Sequence, residues 1–225
     1  VIEDAAHALD STYKGRACGT LGDIAIFSFD AVKNLTVGEG GGITSKDSSK
    51  IERAKIMRYC GIGKSGFDTA SSSTNNKWWE YNIREPFIKM LPTNLSASIG
   101  IEQLKIIDKL QLRRKEIWEF YNSEFADKKQ ISIPSDTLNN DKHSYFTYCI
   151  RVPKRDELAN FLLKNNIYTT LRYHPLHLNN LYGQTNLNLP NCKKLNDEAL
   201  SIPLHPRMDD NDVEKVILKI NQFYD

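Results

Sequence analysis

Apolar positions fall into runs of two periods along the chain. Residues 23–29, Asp-Ile-Ala-Ile-Phe-Ser-Phe, follow Gly22 as a near-continuous apolar run, the pattern of a strand buried on both faces. Val1–Asp4 is a shorter run ending in an acid, and Gly40–Lys46 offers a third short strand after a glycine cluster. Residues 48–60 read as a helix, with Ser48 or Ser49 as its cap and Gly61 as its stop. Ile106, Leu110, Ile117, Tyr121 and Phe125 fall four, seven, four and four apart, one stripe of a helix. Drawn from Leu95 to Phe125 as a single element, that helix spans about 45 Å at the α-helical rise. Beyond Pro134, residues 145–152 and 167–174 read as strands and 154–166 as a helix with acids early and lysine late. Residues 209–224 read as a closing helix, with Asp209 to Asn211 as cap candidates. The polar stretch 62–80, rich in Ser, Thr and Asn, reads as a long loop holding Trp78 and Trp79. For those two tryptophans, packing of the loop is favoured over stacking on a base or sugar.

This order of elements predicts an α/β chain. Residues 1–100 form one lobe, 101–130 a connecting helix and 131–225 a small α+β lobe. The 225 residues are enough for a real core. Val1 stands where a Met would open a full-length protein, and it stands inside a strand; a fragment of a longer protein is the expectation.

Composition narrows the function classes. A net charge of +2 gives no basic surface for nucleic acid. No apolar run approaches the ~18 residues of a membrane span. Cys18, Cys60, Cys149 and Cys192 are widely spaced and form no Cys-x-x-Cys pair, so free thiols in a reducing cytoplasm are expected rather than a disulfide framework.

Three residues then raise a specific chemistry. Asp4 ends the first strand, Ser28 stands near the end of the second, and Lys33 follows in the loop. The carboxyl ends of neighbouring parallel strands line one crevice. An acid, a hydroxyl and a primary amine in such a crevice suit pyridoxal phosphate. The amine can condense with the aldehyde, the acid can pair with the protonated pyridine nitrogen, and the hydroxyl can bond the phosphate. A capping Asp, a strand-end Ser and a solvated Lys are the bland alternatives.

The run from Val1 to Ile43, with its "EDAAHA" strand end and its "FSFDAVKNLTVGEGG" loop, closely resembles the DegT/StrS sugar aminotransferases. The resemblance continues through "RRKEIWEFY", "LRYHPLHL" and "LPNCKKLNDEALSIPLHPRM" to the final helix. It implies part of a fold-type I pyridoxal-phosphate large domain followed by a small C-terminal domain. It also implies amino transfer, with glutamate as the donor, to a nucleotide-linked keto sugar for surface polysaccharide or lipopolysaccharide synthesis, by a homodimer whose sites lie between subunits. Residue by residue, Lys33 is then the cofactor-binding lysine and proton carrier, and Asp4 faces the ring nitrogen. His7 lies near the ring hydroxyl or the substrate, Ser28 touches the phosphate, and His174 and His177 flank the sugar-nucleotide pocket. The glycines at 38 and 40–42 let the backbone approach closely, and Glu39 fixes their loop.

Related dehydratases carry His at the lysine position, so Lys33 argues against that activity. Two departures stand out. Asp10 replaces a usual Gly, which reads as a surface turn. Leu91 replaces a usual Asn that reaches the partner subunit's phosphate, with Lys89 and Asn94 as substitutes. The resemblance further implies that an upstream phosphate cradle and a ring-stacking aromatic lie outside these residues, so an inactive remnant is the alternative reading.

The remaining features read as structural. His174 and His177 are three apart with Pro175 between them, which breaks the helix a metal pair would use. His205 reads as a hydrogen-bonding residue after a strand end. Arg113-Arg114-Lys115 reads as a solvated helix face. The glycine cluster lacks dinucleotide and Walker spacing.

Overall fold

The computed structural model describes residues 1–63, 81–138, 141–182 and 187–224. Trp78, Trp79 and nearly all of the 62–80 stretch lie outside the described residues. The chain divides into two compact units, Val1–Ile107 with Asn139–Ser144, and Asp108–Leu138 with Tyr145–Asp225.

In the first unit, β1 (Ile2–Asp4) pairs in parallel with β4 (Ile24–Ser28), which pairs antiparallel with β5 (Gly41–Thr44). The register sets Asp4 beside Ile26 and Ile26 beside Ile43. Side chains alternate across a sheet, so Ile2, Asp4, Ile24, Ile26, Ser28 and Ile43 share one face, with Glu3, Ala25 and Phe27 on the other. The expectation of burial on both faces fails here. Ala25 is 1 % exposed, yet Ile2 is 74 %, Ile43 52 % and Ile26 42 % exposed. On the covered face, the Glu3 carboxylate accepts from the amides of Gly19, Leu21 and Gly22 at 2.7, 2.5 and 2.6 Å. Those bonds, that from Gly22 foremost, hold its pKa below the usual carboxylate value.

The connection between β1 and β4 contains a hairpin that periodicity missed. β2 (Thr12–Tyr13) pairs antiparallel with β3 (Arg16–Ala17) across Lys14 and Gly15. Both turn residues have positive φ, 50° and 72°, as a type I′ turn requires. Asp10 also stands at φ 65°, a physical reason for glycine to be usual there, and its carboxylate pairs with Lys142.

Helix α1 (Ser48–Met57) is capped by Asp47, whose side chain accepts from the Ser49 amide; the serines expected as caps lie inside the helix. The single 95–125 helix divides in two: α2 (Asn94–Lys105), capped by Thr93, and α3 (Ile107–Phe125). Ile106 leaves helical geometry at φ −116°, ψ 7°, and its amide bonds to Gln103 in a tightened last turn. Two adjacent β-branched residues, Ile106 and Ile107, weaken the helix at this point. Leu95, Ile99, Ile101 and Leu104 of α2 are exposed.

The hydrophobic core lies in the second unit. Ile117, Trp118, Tyr121 and Phe125 of α3 pack with β6 (Tyr148–Arg151), α4 (Arg155–Lys164), β7 (Ala199–Ile202) and α6 (Asp210–Tyr224). Strand β6 runs antiparallel to β7. Helix α6 buries Val213, Val216, Ile217 and Ile220, each contributing about 1.5–3 kcal/mol by removal from water. Asp209 and Asp212 cap it reciprocally, the Asp212 amide donating to Asp209 Oδ1 at 2.8 Å and the Asp209 amide to Asp212 Oδ2 at 3.3 Å. Residues 167–174 form no strand; Thr170 makes one isolated bridge to Ser201. Helix α5 (Pro190–Glu198) was not legible in the pattern, although Pro190 stands at its first turn.

The reading of Arg113-Arg114-Lys115 as a solvated face is corrected at its middle residue. Arg114 is 6 % exposed. Its Nη1 donates to the carbonyls of Leu204, Tyr145 and Phe146 at 3.1, 3.3 and 3.4 Å. Burial pulls its pKa down to about 10, since a desolvated cation is disfavoured.

Candidate active site

The parallel pairing of β1 and β4 carries both chains to the same sheet edge. Asp4 is the last residue of β1 and Ser28 the last of β4. By the register they lie on one face, two pleats apart along the sheet. The Asp4 carboxylate accepts from the Ala6 amide at 3.1 Å, a turn that starts the chain away from the strand. The Ala5 amide still bonds to Ile26, and the Ala8 amide closes on the Ala5 carbonyl at 3.0 Å. His7 is therefore presented at the tip of a short turn. Ser28 Oγ lies 3.4 Å from the Asp30 amide.

Between β4 and β5 the chain makes a second turn. The Lys33 amide bonds to the Asp30 carbonyl at 3.0 Å, while Phe29 holds the loop at both ends, donating to Gly40 and accepting from Val37. A Cβ at Gly41 would stand 2.8 Å from the Phe27 carbonyl oxygen, so the return strand can approach β4 this closely only as glycine. Glu39 is exposed in this loop.

The two turns meet. Lys33 Nζ lies 2.6 Å from His7 Nε2. An ammonium has donors only, so when Lys33 is charged, Nε2 must accept and the imidazole proton must sit on Nδ1. Of the residues singled out from sequence, Lys33 and His7 are in contact, and Asp4 and Ser28 share one sheet face. His174 and His177 belong to the second unit. His174 is exposed, and His177 lies in a 3-10 helix, Leu176–Leu178, after buried Pro175.

Among the described residues, no group of three or more His, Cys, Asp or Glu side chains is arranged to hold a metal ion. All four cysteines are free. Leu91 is 41 % exposed. Of its proposed substitutes, Lys89 lies over the Tyr59 ring at 6.0 Å, and Asn94 opens α2 with its carbonyl bonded to Ser98.

Two residues of this region gave no chemical signal in the sequence. Asn34 is 7 % exposed and Ser144 is 6 % exposed. Asn34 Nδ2 donates to the Ser144 carbonyl at 2.5 Å, and Ser144 Oγ donates to the His7 carbonyl at 2.6 Å. Asn34 stands next to Lys33, which is the only hint. Ser144 is over a hundred positions away, and nothing local marks it.

Comparison with known proteins places the chain in a family. A "dTDP-4-dehydro-2,3,6-trideoxy-D-glucose 4-aminotransferase" of Saccharopolyspora spinosa is 34 % identical over 219 residues, covering 96 % of this chain and 56 % of the relative. The crystal structure of the aminotransferase TlmJ from Streptoalloteichus hindustanus matches with a TM-score of 0.88 and 34 % identity, covering 98 % of this chain and 57 % of that one. The putative sugar aminotransferase Spr1654 of Streptococcus pneumoniae, in a form with pyridoxamine phosphate (PMP), matches at 0.88 with 30 % identity over 98 % of this chain and 58 % of that one. A PLP form of the same protein also matches. The chain thus spans a little under three-fifths of the length of these relatives and carries part of their α/β fold. Residues 1–221 match the family described as DegT/DnrJ/EryC1/StrS aminotransferases, and the chain belongs to that family.

Proposed function

We propose that this protein serves amino transfer from glutamate to a nucleotide-linked keto sugar, with Lys33 as the reacting amine. The observation that carries the reading is the meeting of Lys33 Nζ with His7 Nε2, on the turns that follow the strands ending in Asp4 and Ser28. The donor set fits pyridoxal phosphate: one amine, one carboxylate and one hydroxyl, each at a strand end or in the turn that follows. When bound, the cofactor supplies an electron sink for a carbanion next to nitrogen.

Each residue then has a defined task. Lys33 would hold the aldehyde carbon, with loss of water, and once displaced by the donor amine would carry a proton to and from the substrate carbon at Nζ. His7 accepts a hydrogen bond from that amine and so holds it. Asp4 would keep a proton on the ring nitrogen, and Ser28 would donate to the phosphate. His174 and His177 are assigned to the nucleotide-sugar side. Two copies of the chain form the working unit in this reading, supported by the apolar α2 residues left exposed. A cytoplasmic site of action is supported by the free thiols, and surface polysaccharide synthesis is the assigned destination of the product.

A second reading has its own support. Ile2, Ile26 and Ile43 leave one sheet face of this stretch open to solvent. An inactive remnant would look the same. Loading the chain with pyridoxal phosphate and adding glutamate separates the two. Release of 2-oxoglutarate in amounts equal to bound cofactor supports the transferase. Cofactor binding at Lys33 without release of 2-oxoglutarate supports the remnant.

A further inference from the structure

The contact between Lys33 and His7 joins two turns that no covalent neighbour aligns. What aligns them is a third piece of chain. Ser144 reaches both turns at once: its carbonyl accepts from Asn34, the residue after Lys33, and its hydroxyl donates to the backbone of His7. The Asn34–Ser144 bond is shielded from water, with both residues under a tenth exposed, while the Ser144–His7 bond is half-buried. A buried polar group left unpaired costs about 1–3 kcal/mol, so the two bonds fix a distance rather than decorate it.

Ser144 is itself anchored. The Asp141 carboxylate accepts from the amides of Lys14 and Gly15 at 2.8 and 2.9 Å and from Thr12 Oγ1 at 3.3 Å. The Lys142 amide donates to Thr12 Oγ1 at 2.7 Å, and the Thr12 amide donates to the Lys142 carbonyl at 2.9 Å. Asp141 and Lys142, just before Ser144, are thus fastened to the β2–β3 hairpin. The hairpin is the frame, Ser144 is the bracket, and the turns bearing His7 and Lys33 are what the bracket holds.

We propose that Asn34 and Ser144 are positioning residues, whose hydrogen bonds keep the Lys33 amine in contact with His7 Nε2 and thereby aim it at an aldehyde. The assignment rests on the reading of Lys33 as the reacting amine. Misplacing a reacting group by about 1 Å can cost a hundredfold in rate, so small side chains two bonds removed can matter to it.

The test uses the full 225-residue chain and the variants Ser144→Ala, Ser144→Thr and Asn34→Asp, with two readouts. The first is the imidazole nitrogen spectrum of His7 without cofactor, assigned by its loss in His7→Asn. The second is the rate at which pyridoxal phosphate is fixed on Lys33 under borohydride. Ser144→Ala is expected to keep its circular dichroism, to move the His7 Nε2 resonance toward that of a free imidazole, and to slow fixation about ten- to a hundredfold. Ser144→Thr, which keeps the hydroxyl, is expected to restore both. An unchanged resonance and rate in Ser144→Ala overturn the proposal, as does a folded Ser144→Thr that restores neither. If Ser144→Ala does not fold, Asn34→Asp, which lacks the donor, decides by the same two readouts. If the unaltered chain fixes no cofactor while Ser144→Ala still shifts the His7 resonance, the positioning bracket stands and the role given to Lys33 fails.

Discussion

Lys33 Nζ and His7 Nε2 are 2.6 Å apart, twenty-six positions from each other in the chain. Parallel strands end on the same side of a sheet, so residues just beyond β1 and β4 are delivered to one place whatever lies between them in sequence. His7 is exposed and contributes little to the core. His7→Phe is therefore expected to melt within a few degrees of the parent. Its rate of cofactor fixation on Lys33 is expected to fall by about tenfold or more, the scale of one lost positioned hydrogen bond. A rate equal to the parent's in a folded His7→Phe chain contradicts a role for the imidazole.

Arg114 stands where a cation is least expected, inside the second unit with three carbonyls around Nη1. Arg114→Met fills similar volume without charge but strands the carbonyls; Arg114→Ala strands them and opens a cavity. The alanine variant is expected to lose about 3–5 kcal/mol in urea unfolding. Arg113→Ala, on the neighbouring half-exposed residue that pairs with Asp210, is expected to lose about 1 kcal/mol. Equal losses for the two contradict the assignment of Arg114 to the interior.

Much of this architecture was written in local pattern, and the departures have local causes. The strands at Asp4 and Ser28, the helices from Arg155 and Asp210 and the lysine loop all follow from runs of apolar residues between turn signals. A charge run says nothing about which member points inward, so Arg114 reads as solvated from sequence; helical geometry places Arg114, Ile117, Trp118 and Tyr121 on one face. The stripe through Ile106 and Leu110 was counted as one helix, because periodicity carries across a single residue that leaves helical dihedrals. Asp47 was passed over as cap for the serines after it, though all three side chains can accept an amide. The hairpin at Lys14-Gly15 lacks the Asn-Gly pair that marks such turns. Of the proposed site, Asp4, Ser28 and Lys33 stand out by their places at or just after strand ends, and His7 through the resemblance alone. It was not legible at Ser144, whose role depends wholly on a long-range fold.

The hairpin turn offers a gain of stability. Lys14 adopts φ 50°, a region that asparagine tolerates better than lysine. Lys14→Asn keeps the backbone amide that Asp141 accepts. It is expected to raise stability by about 0.5 kcal/mol, read as a higher urea midpoint with an unchanged slope. A lower midpoint contradicts the turn assignment.

His205 makes the chain's stability depend on pH near neutrality. His205 is exposed as a residue, but partial desolvation of its ring, and then the charge of Arg114, hold its pKa below the ordinary 6.5. Between the two values the unfolded chain binds more protons than the folded one, so stability is complete above pH 6.5 and declines as pH falls through that value. The lowered carboxylate of Glu3 acts in a separate window, with its contribution present above pH 4.5 and lost as acid is added below it. His205→Gln is expected to flatten the decline just below pH 6.5 while leaving the acid limb in place. A decline of unchanged size in that variant contradicts the assignment.

The central claim is that Lys33 is the amine that takes the cofactor. Incubation of the chain with pyridoxal phosphate, reduction with borohydride, digestion and peptide mass mapping test it in one measurement. The account predicts a single dominant pyridoxyl mass on the peptide containing Lys33 and its loss in Lys33→Ala. Modification spread over surface lysines, or an undiminished adduct in Lys33→Ala, would contradict it.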